Sequence, residues 1–222
     1  MANGPLVNLT AKNQGYFDRL QRAESWLEKA QELANSATHW DDLHGQFVFL
    51  WIAFNALYGR TKTDRFSEER DVKWFIPLIC DWDAGRGLIK SAAEEVKRDA
   101  DKLLREKYLC EKFWEEGSTR KVLTAVRCDE EEARRHWENG DVAAYLSKVF
   151  AYRLRVLRNQ VFHGCSTDKS EKSRRSIVPA VRVLERLVPA FVGVFHERGP
   201  GEESWPEISY PRAGSPLNPD YT

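Results

Sequence analysis

The sequence predicts an all-α fold: a helical bundle followed by an irregular, proline-rich C-terminal tail. Three observations predict it. Apolar residues recur at spacings of three and four along most of the chain, the period of a helix with one buried stripe. No stretch has the two-residue alternation of a half-buried strand. Five of the nine prolines fall after Gly199, together with Gly201 and Gly214, so regular structure is expected to stop there. The 222 residues divide into a lead-in (1–15), a helical domain (16–198) and the tail (199–222).

The elements follow in order. Phe17, Leu20, Ala23, Leu27, Ala30 and Ala34 mark an amphipathic helix over Tyr16–Asn35. An aspartate of the stretch Trp40-Asp41-Asp42 is suited to cap the next helix, Phe47–Gly59. That helix is apolar on all sides except at Asn55, so it is expected at the bundle centre, with Asn55 as a hydrogen-bonded core amide. Ser67-Glu68-Glu69-Arg70 reads as a helix start leading into Val72, Phe75, Ile76 and Ile79, with Pro77 kinking or shortening it. Leu88–Trp114 is expected to be one long helix, and Arg120–Trp137 another, whose acidic run Asp129–Glu132 reads as a solvated face. After a turn and N-cap at Asn139-Gly140-Asp141, a helix runs to His163. Ser166–Lys172 is a polar loop. The last helix, Ile177–Phe195, has Pro179 in its first turn and Pro189 as a kink.

Charge and cysteine usage exclude several classes. Thirty-four basic and 34 acidic side chains cancel, which argues against a protein that coats nucleic acid through bulk charge. A local basic stretch exists all the same. Lys148, Arg153, Arg155, Arg158, Lys169, Lys172, Arg174 and Arg175 face only Asp168 and Glu171 in sequence. Cys80, Cys110, Cys128 and Cys165 are widely spaced, which suggests neither a zinc ribbon nor a disulfide framework, but reduced thiols in a cytoplasmic protein. The N-terminal residues lack the charged start and apolar run of a signal peptide, and the apolar run Phe47–Ala53 is too short to span a bilayer. No phosphate-binding glycine loop, nucleophile elbow or His-Glu-x-x-His motif is present. His39 and His44 beside Asp41 and Asp42 read better as a polar helix entrance than as a metal cluster, and the spacing of His163-Gly164-Cys165 is too close to be diagnostic of a thiol–imidazole pair. No metal and no cofactor is expected.

The stretch Tyr152–Gly164 carries the candidate chemistry. At about 100° per residue, Leu146, Phe150, Leu154, Leu157 and Val161 fall in one apolar arc. Tyr152, Arg155, Asn159 and His163 fall opposite, with Lys148 above them and Arg158 at the flank. Gly164 is placed to terminate the helix. A histidine in a last turn, among cations and an amide, suits a working surface better than packing.

Leu157-Arg158-Asn159-Gln160-Val161-Phe162-His163-Gly164 resembles the Arg-x4-6-His motif of the HEPN family, in which the arginine is followed by a polar residue on a late helix. Trp51–Gly59 resembles the early core helix of bacterial HEPN proteins, and the order of the two helices agrees. The resemblance covers residues 16–196 and excludes the tail. It implies a HEPN-like bundle and a metal-independent endoribonuclease of toxin or defence type, or alternatively a non-catalytic RNA-, nucleotide- or protein-binding module. It also implies a homodimer whose facing motif helices share one cleft lined by His163 and Arg158, with Asn159 as the polar helper. An antitoxin or regulatory protein would be a further partner.

The residues fit that chemistry. Metal-free RNA cleavage uses the 2′-OH as nucleophile, an imidazole to take its proton and a guanidinium for the charge on the phosphorane. Tyr152, Arg155 and Lys148 are the expected RNA contacts, by stacking or to phosphate. Phe162 and Val156 are candidate dimer contacts. On an ideal helix Arg158 lies about 140° from His163. Either the last turn unwinds, or a second protomer completes the site.

Overall fold

The computed structural model describes residues 11–36, 42–59, 68–164 and 171–198. Ser67, His39, Asp41, Cys165, the loop residues 166–170 and the tail lie outside them. Among the described residues there are helices and no strand. None of these helices is long and apolar enough to cross a membrane.

α1 (Ala11–Ser36) packs along α2 (Leu43–Tyr58), and α2 lies in turn against the last helix, α9 (Glu171–Arg198). α2 is the core helix that its composition requires. Phe54 is fully buried, with ring centroids 4.8 Å from Phe150, 5.8 Å from Phe75 and 5.8 Å from Phe191. Arg19 of α1 is buried beside the end of α2, where its guanidinium donates to the carbonyls of Leu57 and Gly59. A fixed cation thus satisfies carbonyls that a helix C-terminus leaves open.

Four local expectations need correction here. Asn55 is exposed, not a core amide, because the core-facing positions of α2 are Leu50, Trp51, Ala53, Phe54 and Leu57. Asp42 stands at the N-cap of α2 without a side-chain cap bond, and only its carbonyl is used, by Gln46 N–H at 2.9 Å. Phe17 is 39 % exposed, since the buried face of α1 runs through Tyr16, Arg19, Leu20 and Ala23. α1 itself starts at Ala11, inside the expected lead-in.

α3 (Glu68–Trp82) begins with Glu68, Glu69 and Asp71 in its first turn, where carboxylates favour the helix dipole. It runs on through Pro77, with Val72, Phe75, Ile76 and Ile79 buried. The buried Asp83 then receives the Leu88 and Ile89 N–H groups at 3.1 and 2.8 Å, and so caps α4 (Leu88–Arg105) from outside it.

The single helix expected over Leu88–Trp114 is broken. Glu106 adopts extended backbone (φ −74°, ψ 108°) and its carboxylate accepts from Tyr108 N–H. A one-turn 3₁₀ segment, Lys107–Leu109, follows, then the short α5 (Glu111–Glu116). The break buries Leu109, which a continuous helix would carry to the side opposite the buried stripe of α4, and Cys110 with it.

α6 (Arg120–Glu138) starts on Thr119, whose hydroxyl accepts from Val122 N–H at 3.2 Å. Asp141 caps α7 (Val142–Val149) in the same way, through Ala144 N–H at 2.9 Å. The helix expected to run unbroken to His163 contains a π-turn, Phe150–Leu154, between α7 and α8 (Arg155–Phe162). α9 begins at Glu171, so Pro179 lies inside the helix and not in its first turn; the helix continues past Pro189 as well.

Candidate active site

The motif lies on α8, at the end of a rod enclosed from several sides. The Leu146, Phe150, Leu154 and Leu157 stripe is buried as the period requires. Helices from elsewhere in the chain then close on the flanks. Arg153, 1 % exposed, donates to the Leu104 carbonyl of α4 at 3.2 Å and to Asp129 of α6 at 2.9 Å. Val156 is buried, so it is not available as a dimer contact, whereas Phe162 is 46 % exposed.

Arg158 is held from three directions. Its Nη1 donates to the side-chain oxygen of Asn159 at 2.9 Å and stands 3.5 Å from a carboxylate oxygen of Glu68. Its guanidinium carbon lies 4.8 Å from the centre of the Phe162 ring, a cation–π distance. Its Nε is buried without a hydrogen-bond partner. Around Glu68 two further groups gather. The Trp51 indole donates to it at 3.4 Å. The phenol of Tyr58 is buried without a hydrogen bond, and burial first, then the neighbouring Glu68 charge, pushes its pKa well up.

His163 is exposed at the C-cap of α8. Its N–H donates to the Asn159 carbonyl at 3.0 Å, and Gly164 follows with φ 69°, the left-handed conformation that ends a helix. The last turn is therefore intact, and Asn159 and His163 lie one turn apart on one side. Unwinding does not bring Arg158 and His163 together; Arg158 is brought to Asn159, Phe162 and Glu68 instead.

The expected open basic face is not open. Lys148 is half-buried, bonded to Glu132 at 2.9 Å and 3.8 Å from Asp129. The Lys148 bond holds the Glu132 carboxyl below its ordinary pKa. Tyr152 is half-buried, with the ammonium groups of Lys73 and Lys148 at 4.4 and 4.8 Å from its ring centre. Arg155 is only 8 % exposed. It donates through Nε to the Ala151 carbonyl at 3.0 Å, and through Nη2 to Glu69 at 3.2 Å and Glu111 at 3.0 Å. Carboxylates of α3, α5 and α6 thus pair with Lys148, Arg153 and Arg155. The acidic run of α6 is not merely solvated: Asp129 and Glu132 pair with Arg153 and Lys148, and Glu130 pairs with Arg105 at 2.6 Å.

Glu68, Trp51 and Tyr58 were not singled out from the sequence, where they read as a helix start and core aromatics. Only the acidic pair Glu68-Glu69, arriving just before a strongly apolar helix, signalled an available carboxylate. His44 is half-buried, and among the described residues no group of three His, Cys, Asp or Glu side chains is placed to hold a metal ion. No family model matches the chain, and neither a curated protein nor a solved structure matches it.

Proposed function

We propose that this chain is a metal-independent endoribonuclease of toxin or defence type, similar to HEPN proteins, acting at a composite site formed by two copies of α8. The observation that carries the proposal is the fixed Arg158–Asn159 pair, bonded at 2.9 Å, on the same last two turns as the exposed His163. His163 takes the proton from the 2′-OH, which attacks the adjacent phosphorus. Arg158 stabilises the negative charge that gathers on the phosphorane oxygens. The 5′-oxygen leaves with a proton, giving a 2′,3′-cyclic phosphate and a 5′-OH. Because the last turn is intact, Arg158 and His163 of one chain diverge, and a second protomer supplies the complementary pair. Exposed Phe162 is suited to that contact. The setting proposed is the cytoplasm, with a regulatory or antitoxin protein as a possible additional partner.

The test is RNA cleavage in EDTA by wild type, His163→Ala and Arg158→Ala, with light scattering on each. A dimeric wild type that cleaves, and two folded variants that do not, are expected. A wild type that is monomeric at micromolar concentration, or variants that cleave normally, would sink the proposal.

One observation favours a second reading. Lys148, Arg153 and Arg155 are all committed to carboxylates, so these three are not open to an RNA phosphate. A HEPN-like module that binds RNA, a nucleotide or a protein without cleaving fits that balance, and RNA binding without cleavage in the same assay would select it.

A further inference from the structure

α5 presents a tryptophan in an unusual setting. Trp114 is 55 % exposed, the most exposed of the large apolar side chains among the described residues. Its indole N–H is nevertheless already used, donating to the Tyr108 carbonyl at 2.9 Å. The same carbonyl oxygen accepts from the side-chain amide of Gln160 at 2.6 Å. Trp114 is therefore moored beside Gln160 of the motif helix, which stands two residues before Phe162 and three before His163.

The ring is also braced. Phe113 stands edge-on to Trp114 at 5.4 Å and edge-on to Tyr108 at 4.9 Å. The Lys107 ammonium lies 5.1 Å from the Tyr108 ring centre and 5.8 Å from that of Phe113. Two nearby carboxylates have cationic partners, Glu111 with Arg155 at 3.0 Å and Glu116 with Lys121 at 3.0 Å, and Glu106 accepts from Tyr108 N–H.

A rigid indole whose one polar atom is satisfied offers a bare π-face. That is what a nucleobase stacks on, and stacking needs no readout of base edges. A protein hot spot needs a wider dry surround, but Glu111, Lys112, Glu115 and Glu116, the neighbours of Trp114 on α5, are all exposed charged residues. A stacked base covers a single ring and tolerates such neighbours.

We propose that Trp114 is a stacking platform for one unpaired base of an RNA strand bound at the end of α8, with Lys107, which sits over the Tyr108 and Phe113 rings and bonds to the Ser118 hydroxyl, for the strand's phosphate. This rests on the RNA reading above and adds a subsite to it. The strand would run from the scissile phosphate near His163 across Gln160 to the Trp114 ring, so the platform selects single-stranded RNA.

The test is fluorescence anisotropy with a labelled single-stranded oligoribonucleotide and a duplex of equal length, in EDTA, on a His163→Ala background that prevents cleavage. Adding Trp114→Leu is expected to weaken single-strand binding by about 5- to 150-fold, the range for loss of one stacked base. Trp114→Phe, which keeps a π-face, is expected to stay within a few fold. Duplex binding should not respond to either change. In the cleaving enzyme the Leu variant should raise KM and leave kcat nearly unchanged. Unchanged single-strand affinity in the Leu variant overturns the proposal. So does an equal loss on duplex, an equal loss in the Phe variant, or a change in oligomeric state in place of RNA affinity. If the His163→Ala parent binds no RNA, the underlying RNA reading has failed; if it binds but ignores Trp114, only the platform has failed.

Discussion

The guanidinium of Arg158 donates to the side-chain oxygen of its immediate neighbour Asn159, Nη1 to Oδ1, at 2.9 Å. Consecutive helix residues normally diverge by about 100°, so this bond turns the arginine toward the Asn159–His163 side. If the proposed chemistry holds, Asn159→Ala frees the guanidinium from its working position. We expect kcat for RNA cleavage to fall by about 10- to 100-fold through misplacement, with KM little changed. A thermal melt indistinguishable from wild type would show that the loss is one of positioning.

On the proposed RNA reading, Glu68 competes with the phosphate for the same cation. Its carboxylate lies 3.5 Å from Arg158 Nη1, and both side chains are partly exposed. Replacing it in Glu68→Gln removes the competing charge and keeps the shape. RNA affinity is expected to rise by about two- to fivefold at low salt, the worth of a partly exposed ion pair, and the gain should shrink as salt is raised. A fall in affinity measured by anisotropy would mean that Glu68 holds Arg158 in place for RNA.

Arg155 is a tie between helices. It joins α8 to Glu69 of α3 and Glu111 of α5. Arg155→Met leaves Glu111 without its cation, Glu69 paired with Lys73, and Ala151 without its side-chain donor. Chemical denaturation should report a loss of about 1–3 kcal/mol. RNA affinity, measured well below the melting transition, should change by less than about twofold, whereas a phosphate contact would lose more and reduce the salt dependence.

Three of the seven tyrosines should be silent in an alkaline titration. Burial pushes Tyr16 up to about 12, and raises Tyr58 and Tyr145 as well, with Glu68 and Asp101 charges adding to the effect. Each folded pKa lies above the unfolded value near 10. The stability these groups contribute is therefore complete below pH about 10 and is lost as pH rises toward the folded values. Tyrosinate absorbance at pH about 11 should lack these three until the chain unfolds. Tyr58→Phe, which removes a buried hydroxyl without a hydrogen bond, should be neutral or slightly stabilising at pH 7 and should delay alkaline unfolding.

The helix class, the core position of α2 and the cap at Asp141 are legible in the sequence because each is local. Periodicity needs only neighbours within two turns, and a cap needs only the next three residues. The left-handed Gly164 after His163 is legible for the same reason. Local signals also mislead where a distant partner outweighs them. Leu88–Trp114 has helical charge spacing throughout, yet it breaks at Glu106, where Leu109 and Cys110 turn into packed surroundings.

By itself, then, the sequence determined that the chain is helical, that α2 lies in the core, and that Asn159 and His163 share one side of a helix end with Arg158 at the flank. Only the tertiary structure decided which cations remain available. Arg155 meets Glu69 from 86 positions away, and Arg153 meets Asp129 from 24. No period connects such pairs, because charge pairing across helices depends on how the helices cross. Burial then makes each pairing obligatory, since a desolvated guanidinium without a counter-charge is too costly to keep. Lys148, Arg153 and Arg155 therefore become part of a charge-paired seam, with Arg158 and His163 at its end.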